Sequence, residues 1–213
     1  MPHDLIALSA SFFLLLAYYL YLGWRTHRTP DASIHTHNAK IREQWVGMVM
    51  GSGKMDILAI QTLRNSVIAA NFMASTAVLL IIGTLNISEK IGQWTLTWQP
   101  FGMDAATLGV IWQVKLGLLL LVFAIAFHFF AMAIRYFNHV GYMINLPSDP
   151  TKDSRLYRQT CTYLNKAGSY YMFGTRTFFF SLPIILWFFG STFLVLATIG
   201  LIAGLAMLDR TPS

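Results

Sequence analysis

Apolar positions in this chain gather into four long runs, and the stretches between them mix polar and apolar residues. The runs cover residues 5–22, 65–85, 108–137 and 179–208. The first has 18 residues and no charge. As a helix it reaches about 27 Å, close to a hydrocarbon core of ~30 Å. The last two have 30 residues each, so they must tilt, break or project from the lipid. Pro183, with Ser181 before it, reads as a first-turn proline after a cap.

The connections carry pattern of their own. Ile41, Trp45, Met48 and Val49 recur at helical spacing, which predicts a short amphipathic helix ended by Gly51-Ser52-Gly53. A second helix is predicted over 153–166, with Leu156, Thr160, Tyr163 and Leu164 on one side and Gly168 as its stop. A turn at Leu146-Pro147-Ser148-Asp149-Pro150 precedes it. Trp94, Leu96 and Trp98 alternate with polar residues, as in an extended segment at a headgroup belt. The expected fold is therefore all-α: one domain, residues 1–213, of four transmembrane helices with interfacial amphipathic helices in both long connections.

Composition sharpens this. Only 11% of the 213 residues are charged, against roughly 25% in soluble domains. Lys and Arg also divide unevenly. Arg25, Arg28, Lys40, Arg42, Lys54 and Arg64 lie between the first two runs. Arg135, Lys152, Arg155, Arg158, Lys166 and Arg176 lie between the last two or at their ends. The opposite side has Lys90 and Arg210. The positive-inside rule places the long connections in the cytoplasm and both termini outside, in an integral membrane protein. The net charge of +6 then reflects topology and anionic headgroups, and nucleic acid is not an expected partner. The leader Met1-Pro2-His3-Asp4 lacks the basic residues of a signal peptide, so the first run is expected to stay as an anchor.

Three stretches resemble one family. They are Gln61-Thr62-Leu63-Arg64-Asn65-Ser66 with Ala74-Ser75-Thr76-Ala77, Arg135-Tyr136-Phe137-Asn138-His139, and Gly174-Thr175-Arg176-Thr177-Phe178 followed by Pro183 and Leu186-Trp187-Phe188-Phe189-Gly190. In order and spacing the chain is similar to the domain of unknown function 599 family of bacterial and plant integral membrane proteins. The resemblance implies a four-helix membrane protein and brings no activity, substrate or cofactor.

Candidate chemistry is sparse. Arg64-Asn65, Arg135, His139 and Arg176 stand at expected cytoplasmic helix ends, where guanidinium groups at one level suit a lipid phosphate or an anion. Ser66, Ala70 and Ala74 form a small-residue ridge beside Asn71 and Ser75, and Gly200 and Gly204 form a GxxxG. Both read as helix-packing seams. Lys115 is the one charge inside a run, and it reads as snorkelling outward or as a cationic constriction. His128 and His139 fall on one stripe but about 16 Å apart along a helix, too far to share a metal. His27, His35 and His37 lack the acid or cysteine partners of a zinc site. Pro2 removes the backbone N–H that an amino-terminal copper motif at His3 would use. Gly51-Ser52-Gly53-Lys54 lacks phosphate-loop spacing, and Asn86-Ile87-Ser88 is a glycosylation pattern too close to the lipid. Cys161 alone excludes an intrachain disulfide. No carboxylate is expected at mid-membrane, and no nucleophile–base set emerges.

The leading expectation is a non-enzymatic multi-pass protein, a homo-oligomer or an accessory subunit of a larger membrane complex, with no cofactor. One alternative is an anion-preferring channel or transporter using Arg64, Arg135 and Arg176. The other is a redox subunit with a haem or metal shared across subunits through His128 or His139.

Overall fold

The computed structural model describes residues 2–28, 34–52, 56–97, 105–146 and 155–209, and every regular element among them is helical. The order is α1 (Pro2–Arg28), α2 (Ile34–Ser52), α3 (Asp56–Thr97), α4 (Ala105–Met143), α5 (Arg155–Phe179), α6 (Ser181–Trp187) and α7 (Ser191–Leu208). Four segments are long and apolar enough to cross a membrane: His3–Arg28, Ile57–Lys90, Gly109–Met143 and Ser191–Leu208. Gly53, Lys54, Trp98 and the turn at Pro147 and Pro150 lie outside the described residues.

α3 and α4 pack along their length because small residues let the backbones approach. Ala70, Ala74 and Ala77 are buried on α3, and Phe123, Ala126, Phe130 and Ala133 are buried on α4. α5 joins them through rings. Phe130 meets Tyr171 edge-on at 5.7 Å, and Tyr136 stacks on Tyr170 at 5.5 Å. Toward the α2 end, Val46, Val49 and Met50 close a core with Leu63, Phe137, Val140, Ile144, Cys161 and Leu164.

Three local expectations are corrected. On α2 the buried side is Val46, Val49 and Met50, while Ile41 and Met48 face outward. The predicted stripe was displaced because α2 docks against α5 rather than presenting all its apolar groups to one surface. α3 stays helical through Thr97, where alternation predicted an extended segment. Five alternating positions are a weak signal against the cooperativity of a formed helix. α5 continues through Gly168 instead of stopping there. A Cβ at Gly168 would lie 2.8 Å from Arg42 Nη1, so this glycine is a notch for a guanidinium. Gly174 is likewise a notch, where a Cβ would meet the buried Phe130 ring at 2.9 Å.

The largest correction concerns residues 179–208, which do not form one helix. α5 runs into α6 with a helical residue, Phe180, at the joint. Pro183 lacks the N–H that would bond the Phe179 carbonyl, so the helical hydrogen-bond ladder is interrupted at this joint. Ser181 does not cap α6; its hydroxyl donates back to the Phe178 carbonyl at 2.7 Å. At Gly190 φ is +148° and ψ is 158°, a region essentially restricted to glycine. The chain reverses at this residue, and α7 returns against α6.

The hydrogen bonds fix the directions. Trp187 Nε1 donates to Asp4 at the start of α1, and Tyr18, fourteen residues further along α1, donates to Asp209 at the end of α7. α1 and α7 therefore run in the same direction. The start of α1 and the end of α7 lie at opposite ends of the bundle, which corrects the expectation of two termini on one side. Tyr170 stacks on Tyr136, and Trp187 meets Lys115 twenty-one residues earlier on α4, so 170–187 follows most of the apolar length of α4. That extra pass, folded back at Gly190, is what a single 30-residue run concealed.

Candidate functional site

α1 is held chiefly by α7, and a cleft of about 580 Å³ lies between the C-terminal half of α1, the start of α2 and α5. Its base is Arg176 with Asp209. These two are 13% and 6% exposed at their side chains and form an ion pair. Tyr18 Oη donates to the other carboxylate oxygen of Asp209 at 2.6 Å. Both oxygens of the buried carboxylate are thus engaged, as charge removed from water requires. The Gly190 reversal carries Asp209, the residue that ends α7, back beside Tyr18 in the C-terminal half of α1.

The walls above this base carry Arg25 and His27 from α1 and His35 from α2. His35 Nε2 lies 2.9 Å from Ser169 Oγ. Burial, then Arg42 and Arg176, push the His35 imidazole below its ordinary value of 6.5. Behind it, Arg42 Nε donates to Asn165 Oδ1, and Asn165 Nδ2 donates to Glu43 Oε1, each at 2.9 Å. These contacts clamp α2 to α5 and use the Gly168 notch. Cys161, in the core below, is buried, and burial pushes its thiol up, which disfavours the reactive thiolate.

A second polar cluster closes the other end. Lys115 is buried, 6% exposed, and donates to the Trp187 carbonyl at 2.9 Å. It also lies over the Trp187 ring, 4.8 Å from the centroid. α6 ends at Trp187, so the ammonium caps the negative end of a helix. Trp187 Nε1 meets Asp4 at 3.1 Å. Lys115 thus turns inward and ties α4, α6 and α1 together, instead of snorkelling outward or lining a constriction.

The other sequence-derived candidates scatter. Arg64, Asn65, Arg135 and His139 are exposed, and His139 lies edge-on to Tyr163 at 6.0 Å. Arg176 is not level with Arg135. Tyr136 stacks on Tyr170, and Arg176 lies six residues, roughly 9 Å, further along α5. Ser66 Oγ donates to the Thr62 carbonyl. Ala70 and Ala74 are buried in the α3–α4 seam, whereas Asn71 and Ser75 are exposed. Gly200 and Gly204 face open space, with nothing within 4 Å of an added Cβ. His128 is exposed. No group of three or more His, Cys, Asp or Glu that could hold a metal is found among the described residues.

Sequence reasoning missed Tyr18 and Asp209. Their one signal was Asp209 ending an apolar run, which gains meaning only when the run is folded at Gly190. Asp4 was assigned outside the runs without its Trp187 partner.

No curated protein and no solved structure matches the chain. The family described as "Protein of unknown function, DUF599" matches residues 6–213, nearly its whole length. The apolar helices and this match agree, and the chain is a membrane protein of the DUF599 family.

Proposed function

We propose that this is a non-enzymatic multi-pass protein that assembles within the bacterial inner membrane, with itself or as an accessory subunit of a larger complex. One observation carries the reading. Asn71 and Ser75 are exposed on a membrane-spanning helix whose small-residue stripe, Ala70, Ala74 and Ala77, is already occupied by α4. An asparagine facing acyl chains is costly, and in lipid such side chains find partners across helix interfaces. The open Gly200–Gly204 face of α7 offers a second close-approach surface. The distribution of Lys and Arg supports an orientation with α2 and the α4–α5 connection in the cytoplasm, together with the end of α7, and the start of α1 outside.

Native mass analysis of the protein extracted from its own membrane tests the assembly. The expected species is larger than one chain, and Asn71→Leu shifts it toward the monomer. A monomer for the unaltered chain would sink the proposal. A stoichiometric haem band or metal in the purified assembly would replace it with the redox reading. An impermeant thiol reagent reaching a cysteine at position 40 only from outside would reverse the orientation.

A further inference from the structure

The cleft between α1 and α5 is not accounted for by assembly through α3 and α7. We propose that it binds an anionic phosphate group presented at the membrane surface. Its volume of about 580 Å³ falls within the usual range for small-ligand sites, roughly 300–1,000 Å³. Its polar lining is rich in donors: the guanidinium groups of Arg25 and Arg176 and the imidazoles of His27 and His35 face it, against one carboxylate, Asp209. That carboxylate is already engaged by Arg176 and Tyr18, so it offers little to a cation. Arg42, packed against Gly168, adds positive potential behind His35.

The donors that line it come from three helices, α1, α2 and α5. That arrangement suits the several oxygens of a tetrahedral phosphate better than a planar carboxylate, which one guanidinium can satisfy bidentately. The apolar side chains of Leu22, Ile34 and Phe173 interleave with these donors, and Gly23 leaves one wall open, with nothing within 4 Å of an added Cβ. A phosphate carried on an apolar tail fits such a lining, and so does a compact soluble phosphate ester. Arg64 and Arg135 are exposed on other helices and do not line the cleft.

The test uses the full chain purified in zwitterionic detergent. Phosphatidylglycerol, phosphatidylcholine and inorganic phosphate are each titrated, with bound mass and melting temperature as readouts. Phosphatidylglycerol should be retained over phosphatidylcholine. Arg25→Gln should weaken retention about fivefold, the scale of one basic residue near anionic lipid, and Arg64→Gln should leave it unchanged. His27→Gln, at an exposed position, gives a second reading if Arg25→Gln fails to fold. Retention that inorganic phosphate cannot displace identifies a lipid. Stabilisation by inorganic phosphate, with displacement of the lipid, identifies a soluble phosphate ester. Equal retention of the two lipids without any effect of phosphate overturns the proposal. So does retention that neither cleft variant changes. These results are independent of the oligomeric state, so the assembly reading stands or falls separately.

Discussion

Two pairs of helices cross the same thickness by different means. α3 and α4 meet through a continuous stripe of alanines and phenylalanines, and α5 seals that stripe with stacked rings. α1 and α7 meet along a thinner seam, with Ala7 packed beside Leu194 and polar clusters at both ends. In lipid there is no hydrophobic force between helices, so the first pair relies on dispersion and close fit. The second has little fit to rely on. It is held by Asp4–Trp187 with Lys115 at one end and Tyr18–Asp209–Arg176 at the other. The cleft opens beside this second pair, between α1, α2 and α5.

The largest effect is expected from breaking the polar tie while keeping the packing. Asp209→Leu leaves the Arg176 guanidinium buried without its carboxylate. Loss of one partner of a buried ion pair costs about 3–5 kcal/mol, whereas replacing both by apolar groups is often nearly neutral. Asp209→Leu should therefore loosen α1 and α7 strongly, and Arg176→Met with Asp209→Leu should recover most of the loss. Thermal unfolding in detergent, read as a double-mutant cycle, measures this. A loss below about 1 kcal/mol for the single variant would mean that packing already holds this pair.

The same contrast explains what the sequence revealed. Membrane-spanning runs are legible because each residue reports its own hydropathy, and the fold has four segments long and apolar enough to cross a membrane, though the fourth covers only part of the run 179–208. The α3 ridge was legible because Ala70 and Ala74 fall at a fixed helical spacing. The reversal at Gly190 was hidden, since glycine in an apolar run is common and only its positive φ distinguishes it. Once that fold was missed, Asp209 and Tyr18, 191 positions apart, had no reason to be considered together. Gly168 was misread for a related reason. A glycine that ends a helix and one that makes room for a neighbour look identical until the neighbour, here Arg42 from α2, is known.

Two glycines of α5 sharpen the comparison at intermediate scale. Gly174→Ala drives a methyl into the Phe130 ring, which is fully buried and cannot retreat. Overpacking of this kind costs about 1–3 kcal/mol, and Phe130→Leu in the same chain should recover part of it. Gly168→Ala meets the end of an arginine side chain, which can swing away at the cost of its bond to Asn165. Its loss should be smaller, about 1 kcal/mol or less. Unfolding of both variants against the parent gives the order. Equal losses would show that the α2–α5 clamp is as rigid as the aromatic seam.

The smallest effect concerns pH at that clamp. Burial, Arg42 and Arg176 hold the His35 imidazole below 6.5, so the docked state resists the proton. Above this ordinary value both docked and undocked forms are neutral and docking is at full strength. As pH falls through 6.5 toward the lowered docked value, the undocked form takes up a proton and the docked form does not. Docking of α2 should therefore weaken on acidification, by well under tenfold in the local opening equilibrium, because His35 is partly exposed and water screens the two arginines. Hydrogen exchange across residues 34–52 at mildly alkaline and mildly acidic pH reads this, in buffer free of phosphate so that no anion offsets the added charge. His35→Gln keeps a hydrogen-bonding group opposite Ser169 and removes the titration, so its exchange should be flat over the same interval. If the pH dependence persists in His35→Gln, the clamp is governed by the Arg42–Asn165–Glu43 contacts, and the carboxylate of Glu43 becomes the group to test.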